Sequence, residues 1–301
     1  MNATRRQFLK TPLGSSTLLS MSAAAPQFLL QTSAAAETAK SSSENVLIVI
    51  QLSGGNDGIN TVIPYADDAY NANRFTLRIG SGQVKKIDDH LGFHPAMGGF
   101  SDLMEDGKLS VIQGVGYPNP NRSHFSSMDI WHTCNRNEKD RSTGWIGRYL
   151  DRTSEAGSDV PALHLGSDRQ PLALVGENVQ TPTVSSLEDF KLDVGGDSGL
   201  RDSIQSRAEM ERPEGASLLN FMQQSSLSAL SSSQRVQEAL SGYKTSIDYP
   251  SFPLAQRLRT IAQLIDAEMS TRIYYLTLNG FDTHANQGAA HQALLTQLSQ
   301  S

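Results

Sequence analysis

Cysteine is nearly absent: Cys134 is the only one in 301 residues. An intrachain disulfide is therefore excluded, and stability has to come from a packed core. Basic residues are also scarce, with 25 Lys and Arg against 31 Asp and Glu and a net charge of −6. Non-specific nucleic-acid binding needs clustered Lys and Arg, so this acidic balance argues against it. After residue 36 no apolar run is long enough to span a bilayer, and the chain contains no internal repeat. Two catalytic signatures are missing as well. There is no Gly-x-Ser-x-Gly, and the glycine-rich residues 53–58 lack the Lys-Ser/Thr ending of a phosphate-binding P-loop.

What is present begins at the amino terminus. Thr4-Arg5-Arg6-Gln7-Phe8-Leu9-Lys10 reads as a twin-arginine export pattern, followed by a weakly apolar stretch over residues 12–30 and then Ser33-Ala34-Ala35-Ala36. Ala34-x-Ala36 suits signal peptidase, which places the cleavage after Ala36 and makes residues 1–36 a signal peptide. A basic, disordered start would not explain this order of charge, apolar run and small residues. Pro12, Gly14 and Pro26 interrupt the stretch, so no stable membrane span is expected after cleavage, and no nearby cysteine offers a lipid anchor. Removal of Arg5, Arg6 and Lys10 shifts the net charge from −6 to −9. The expected location is periplasmic or secreted in a bacterium, with the twin-arginine machinery as partner.

Residues 37–45 form a polar linker, and residues 46–301 are long enough for one α/β domain. Val46-Leu-Ile-Val-Ile-Gln-Leu52 predicts a strand apolar on both faces, as in parallel sheets covered by helices on each side. His94 at a cap, Pro95 at the first position and Gly107 past the end predict a helix over residues 95–106. Residues 109–115 predict a second buried strand; Ser123 opens a helix to about Trp131, and residues 144–150 predict a short helix. Short strands and loops are expected over 160–195, and the leucine spacing over 216–244 predicts helix rather than linker. Leu254, Leu258, Ile261 and Ile265 mark an amphipathic helix over about 253–269. Ile273 to Leu278 predicts a buried strand, and residues 287–298 start another helix. Strands alternating with helices make this an α/β fold with a largely parallel sheet and helices on both faces.

The chemistry converges on strand ends. The strand at Ile273 runs into Asn279-Gly-Phe-Asp282-Thr-His284, which sets a carboxylate and an imidazole where open α/β sheets place ligands. Asp-x-His on a turn joins a hard oxygen to a borderline nitrogen, a plausible metal pair. Residues 53–58 end the first strand and should lie nearby, which makes Asp57 a candidate third ligand; the alternative is a tight turn in which Asn56 and Asp57 bond their own backbone. Ser123 at a helix start is a candidate nucleophile if a metal lowers its pKa, and Arg122 a clamp for substrate oxygens. The plainer alternative is an N-cap serine beside a surface arginine. Of the histidines, His94 reads as a cap and His291 as a solvated residue that could approach Asp282. Cys134 is read as structural, and Trp131 and Trp145 as core.

Several longer motifs carry a resemblance: Gln51-Leu-Ser-Gly-Gly-Asn-Asp-Gly-x-Asn60-Thr-Val, Phe93-His-Pro-Ala, Gln113-Gly-Val-Gly-Tyr-Pro-Asn-Pro-Asn-Arg-Ser-His-Phe-x-Ser-Met-Asp-Ile-Trp131, Gly144-Trp-Ile-Gly-Arg-Tyr-Leu and Gly280-Phe-Asp-Thr-His-Ala-Asn-Gln. Together with the twin-arginine start, they resemble the exported domain-of-unknown-function 1501 family, which is similar to the alkaline phosphatase and sulfatase superfamily. The resemblance implies an alkaline phosphatase-like fold and a small anionic ester as substrate. It also implies a metal centre of zinc, calcium or manganese at Asp57, Asp282 and His284, with Ser123 as metal-bound nucleophile. The family continues with a Ser-Glu-Phe-Gly-Arg segment and a Gly-Thr-Asp-His-Gly turn, neither of which follows Asp282 here. The expectation is a domain incomplete at its carboxyl terminus, as a fragment or a truncated gene. A non-catalytic binding or assembly protein that keeps the fold, or an inactive fragment, is the alternative function.

Overall fold

The computed structural model describes residues 45–153, 161–179, 181–185, 242–267, 269 and 271–301. The expected signal peptide, residues 37–44 of the expected linker, residues 186–195 and nearly all of the helix expected over 216–244 lie outside the described residues.

The main sheet is four-stranded, in the order β1 (Leu47–Leu52), β7 (Ile273–Leu278), β5 (Ala162–Leu165), β6 (Thr183–Val184). Strands β5 and β6 pair in parallel. Leu47 N donates to Arg272 O and Ser53 N to Leu278 O, an equal step along both chains, so β1 and β7 are parallel too. The expected α/β fold with a parallel sheet is present. Strand β7 is buried at five of its six residues, as its apolar run predicts for an inner strand. Strand β1 departs from expectation. Among the described strands it is an edge, so the covering that its two apolar faces predict is incomplete, and Leu47 and Ile48 are 46% and 38% exposed.

The chain divides into two compact units. One comprises Thr143–Lys244 and Thr260–Tyr274, with the residues up to Ile48. Here helix α4 (Trp145–Thr153) buries Ile146 and Leu150. Its first turn rides directly on backbone: a methyl at Gly144 would lie 2.1 Å from Leu172 O, and one at Gly147 would lie 2.1 Å from Val175 O. The Asp151 carboxylate accepts from the amides of Glu177, Asn178 and Val179, and these bonds hold its pKa below the usual range. Trp145 is 40% exposed rather than core, because the apolar stripe of α4 turns Ile146 and Leu150 inward instead.

The second unit is Val49–Ser142, Thr245–Arg259 and Tyr275–Ser301. It holds a small antiparallel sheet in the order β2 (Val62–Ile63), β4 (Gly92–Phe93), β3 (Lys85–Lys86), packed around Ile63, Tyr65 and Tyr70. Tyr70 lies on helix α1 (Asp68–Asn73), which Asp67 caps through the Ala69 amide. Helix α2 (Gly98–Glu105) stops as expected, with Gly107 at φ +70. It starts three residues later than predicted, because His94 caps a preceding turn: its Nδ1 accepts from Ala96 N and its carbonyl from Met97 N. Helix α3 is His124–Thr133, and helix α6, Gln287–Gln300, packs on α2 where Gly99 N donates to Ser299 Oγ at 3.0 Å. Helix α5 is Pro253–Asp266, of which the residues from Thr260 on belong to the first unit; it buries Leu254, Ile261 and Leu264 but leaves Ile265 41% exposed.

Residues 109–115 are not a buried strand. They form no ladder, and Ile112 and Val115 are 81% and 60% exposed. A strand exists only with a neighbour to bond, and an apolar run cannot state whether one is within reach. Trp131, expected in the core, is 48% exposed on α3, whose inward residues near that end are Ile130, His132 and Thr133. Among the described residues no helix is long and apolar enough to cross a membrane.

The closeness of Gly144 and Gly147 to carbonyl groups has a measurable consequence. Gly147→Ala is expected to cost roughly 2–3 kcal/mol, since the added methyl meets rigid backbone rather than a movable side chain. Urea denaturation against the parent protein checks it; an unchanged midpoint would show that the first turn of α4 can shift freely.

Candidate functional site

Strands β1 and β7 end side by side, and the turns that follow them are held together by backbone. Phe281 N donates to Ser53 O at 3.1 Å. Gly54 has φ +106 and Gly55 φ +89, a region that L side chains rarely adopt. Both also have no room for a side chain. A methyl at Gly54 would lie 2.6 Å from the Asp282 amide nitrogen, and one at Gly55 would lie 3.0 Å from His124 Cε1. The glycine pair thus lets three segments meet: residues 53–58, the Asp282 turn and the start of α3.

At that meeting point the Asp282 carboxylate lies between two imidazoles. His284 Nε2 is 2.9 Å from Oδ2, and His124 Nε2 is 3.3 Å from Oδ1. The side chains are solvent-facing, with exposures of 80% for His284, 54% for His124 and 40% for Asp282. His284 and Asn286 adopt the left-handed region at φ 42 and φ 53. Such conformations are uncommon outside glycine and cluster at functional sites. Thr283 N donates to Phe281 O and Ala285 N to Thr283 O, so the turn is tightly wound.

Ser123 takes the N-cap position of α3, but its hydroxyl makes no cap hydrogen bond. Its amide donates to Asn121 Oδ1 at 2.8 Å, and Ser127 Oγ bonds Asn121 O and Tyr117 Oη, so neighbouring groups fix the entry to the helix. Ser123 and Arg122 are both exposed. The body of α3 is tied to the strands by Gln51 of β1. Gln51 Oε1 accepts from His132 Nε2 at 2.8 Å and from Tyr275 Oη at 2.5 Å, and Gln51 Nε2 donates to Met128 Sδ at 3.4 Å. Burial lowers the His132 pKa, which keeps this imidazole neutral.

Asp57 is placed differently from Asp282. Arg74 grips it with two bonds, Nη1 to Oδ2 at 2.5 Å and Nη2 to Oδ1 at 3.0 Å. Gln287 Nε2 donates to Oδ2 at 2.8 Å and Asn60 N to Oδ1 at 3.3 Å, and only 12% of the side chain is exposed. Hydrogen bonding to Asp57 raises the Arg74 pKa further. Thr283 Oγ1 donates to Gln287 Oε1, so this helix residue links the Asp282 turn to Asp57. The tight-turn alternative for residues 56–57 is therefore present in part, through Asn60 N, beside an ion pair that no local pattern announces.

Next to it, His291 is buried, not solvated. Its Nε2 donates to Asn56 Oδ1 at 2.9 Å, and its ring meets those of His94 at 5.9 Å and Phe281 at 6.1 Å. It points to Asn56 rather than Asp282 because α6 turns this face toward residues 53–58. Burial lowers the His291 pKa and, with His291 alongside, brings that of His94 down to about 4. Cys134 is exposed at the α3 C-cap, with φ 52. Asp89-His90 is an Asp-His dipeptide, but it occupies an exposed turn between β3 and β4 in which Asp88 bonds the His90 and Leu91 amides.

Of the sequence-predicted residues, the structure brings Asp282 and His284 together and puts Ser123 next to His124 at the same junction. Asp57 lies on the loop that meets them, but its oxygens are engaged elsewhere. Sequence reasoning did not assign His124 a role, although its place after the N-cap serine was a usable signal. Arg74 and Gln287 gave none, and His291 was read as solvated near Asp282, since long-range pairing decides their partners. Among the described residues no three His, Cys, Asp or Glu side chains are arranged ready to hold a metal. His124, Asp282 and His284 lie together, but the two imidazoles each contact the carboxylate.

Comparison with known proteins gives one family. A family model described as protein of unknown function (DUF1501) matches residues 44–301. No curated protein matches, and no solved structure does.

Two measurements bear on the shell around Asp57. Below about pH 6.5 an unfolded chain protonates its histidines, whereas folded His94 resists until about pH 4. The unfolded state holds more protons in that window, so His94 stabilises the fold fully above pH 6.5 and less as pH falls towards 4. A loss on the order of 2–3 kcal/mol is expected between pH 7 and 4, flattened in His94→Gln; denaturant midpoints across that range test it. Arg74→Met leaves Asp57 without its main partner and should cost roughly 2 kcal/mol, less than for a fully buried pair because Arg74 is 26% exposed. Thermal melts read that loss.

Proposed function

The chain belongs to the DUF1501 family, and from the groups gathered beyond β1 and β7 we propose that it is an exported, metal-dependent hydrolase of phosphate or sulfate esters. One observation carries the reading: a solvent-facing carboxylate set between imidazoles, beside an N-cap serine whose hydroxyl does not cap its helix. A structural N-cap serine normally bonds the backbone two or three residues on. A surface carboxylate normally has no reason to gather two histidines around a strained turn.

The donor set fits a borderline divalent cation. Asp282 and His284 offer one carboxylate oxygen and one imidazole nitrogen, which suits zinc or manganese better than calcium, whose sites are built from oxygens. A cation bound there would supply Lewis-acid polarisation and make a nearby hydroxyl a stronger nucleophile.

The other steps belong to the chain itself. Ser123, at the amino end of α3, would lose its hydroxyl proton to solvent and attack the phosphorus or sulfur centre, with the positive end of the helix dipole facing the developing charge. The attack breaks the bond to the ester alcohol, which leaves with a proton from water; a water molecule would then cleave the esterified serine and restore its hydroxyl. Arg122 would hold two ester oxygens through its planar fork. Gly54 and Gly55 keep residues 53–58 close enough to hold the Asp282 turn and His124 in register. Export rests on Thr4 to Lys10 and Ala34-x-Ala36, and likeness to the alkaline phosphatase superfamily rests on the motifs, so both stand as parts of this proposal.

The test is turnover of phosphate and sulfate monoesters by the metal-loaded full chain. Ser123→Ala should lower kcat by at least a hundredfold with little change in melting temperature, and chelation should abolish activity. Equal turnover by the parent and Ser123→Ala would remove the serine from the chemistry. A folded parent with neither metal nor turnover would favour the binding or assembly alternative.

A further inference from the structure

We infer that His124, and not Asp57, is the third protein ligand of the proposed cation, so that the site is one carboxylate and two imidazoles around a single metal. The inference rests on the reading of the site as metal-dependent and specifies which residues build it.

The first argument is what each candidate would have to give up. Both Asp57 oxygens are occupied, by two bonds from Arg74, one from Gln287 and one from the Asn60 amide. Turning Asp57 to a cation would strand the Arg74 guanidinium, which is only 26% exposed, and would also release one of the two ties that hold residues 53–58 to α6. Breaking one side of a desolvated ion pair is costly, because the remaining charge stays unpaired. His124 gives up one long contact, 3.3 Å from Asp282 Oδ1, and its imidazole is already 54% exposed. Little desolvation opposes its rotation.

The second argument is placement. His124 Nε2 and His284 Nε2 address different oxygens of the same carboxylate. Rotation about side-chain torsions, with each imidazole proton moved to Nδ1, would exchange the two contacts to Asp282 for two nitrogen–metal bonds on a cation beside it. The position of His124 is not accidental. Gly55 leaves room for its ring, with no space for a side chain of its own. Gln51 holds α3 through Met128 and His132, one and two turns further along the helix.

Charge and ligand type then define the occupant. One carboxylate and two neutral imidazoles leave a divalent cation with a residual positive charge, which attracts an anionic ester. Two nitrogens and one oxygen suit zinc, manganese or ferrous iron, and three protein ligands leave positions open for substrate. Asp57 then acts as a positioning residue, setting the loop against which Asp282 and His124 rest.

Zinc titration of the metal-stripped full chain tests this, read by calorimetry and by competition with a chromophoric chelator. The parent should bind one equivalent. His124→Ala and His124→Gln should each weaken binding at least tenfold with an unchanged melting temperature, while Asp282→Asn should abolish it. Asp57→Asn should melt earlier yet bind zinc within about threefold of the parent, because its loss acts on stability and not on ligation. If the parent binds zinc and both His124 variants match it, the inference fails while the metal-dependent reading stands. If Asp57→Asn, shown to be folded by circular dichroism, loses as much affinity as His124→Ala, the ligand assignment is reversed. If the parent binds no zinc, the functional proposal fails, and this assignment fails with it.

Discussion

The Asp57 carboxylate, with bonds from Arg74, Gln287 and the Asn60 amide, is the constraint on which the arrangement at the strand ends depends. A carboxylate this little exposed is tolerable only when its oxygens are satisfied, and the pairing draws in groups far apart in the sequence. Arg74 follows α1, Gln287 opens α6, and Asn60 lies in the short 3₁₀ turn after the loop. Their common partner fixes residues 53–58 from three sides. Asn56 adds a fourth tie through buried, neutral His291. Once that loop is fixed, the left-handed glycines Gly54 and Gly55 lie against Asp282 and His124, and the outer cluster takes its shape from them.

The junction therefore has an inner and an outer layer with different physics. Inside, His94, His132 and His291 are uncharged because burial disfavours their protonated forms, and each has a hydrogen-bond partner that fixes its ring. Outside, Asp282, His124 and His284 face solvent and can change partners at small cost; Asp282 and His284 sit on a turn that includes two residues in the left-handed region, and His124 opens α3. A rigid inner layer carrying an adaptable outer one is what a site needs if it is to take up a cation and release a product. The proposed serine belongs to the outer layer, at the end of a helix whose body is held by Gln51.

Much of this was readable in the residues, and the failures have a common cause. The apolar run Ile273–Leu278, the Asp-x-His turn after it, the start of α3 at Ser123 and the stop of α2 at Gly107 were all legible, because each is set by neighbours within a few positions. The start of α2 moved by three residues because the His94 side chain caps a separate turn first. Residues 109–115 looked like a strand and form no ladder, and β1, apolar on both faces, is an edge among the described strands. Trp131 and Trp145 looked like core and are about half exposed. In each of these last three cases the apolar character is real, and only its surroundings were unknown.

By itself the sequence determined the α/β alternation, the strand that delivers Asp282 and His284, the glycine pair that permits a close approach, and membership in the DUF1501 family. These follow from periodicity, from turn chemistry and from motifs that are local in the chain. Only the tertiary structure decided that Asp57 belongs to Arg74 and Gln287, that His291 is buried against Asn56, and that His124 reaches Asp282. Those pairs are separated by 17 to more than 200 residues, and several candidates of matching charge or hydrogen-bonding capacity compete for each partner. The selection is made by which segments the sheet and its helices carry to the same place, and that information is not written at either residue.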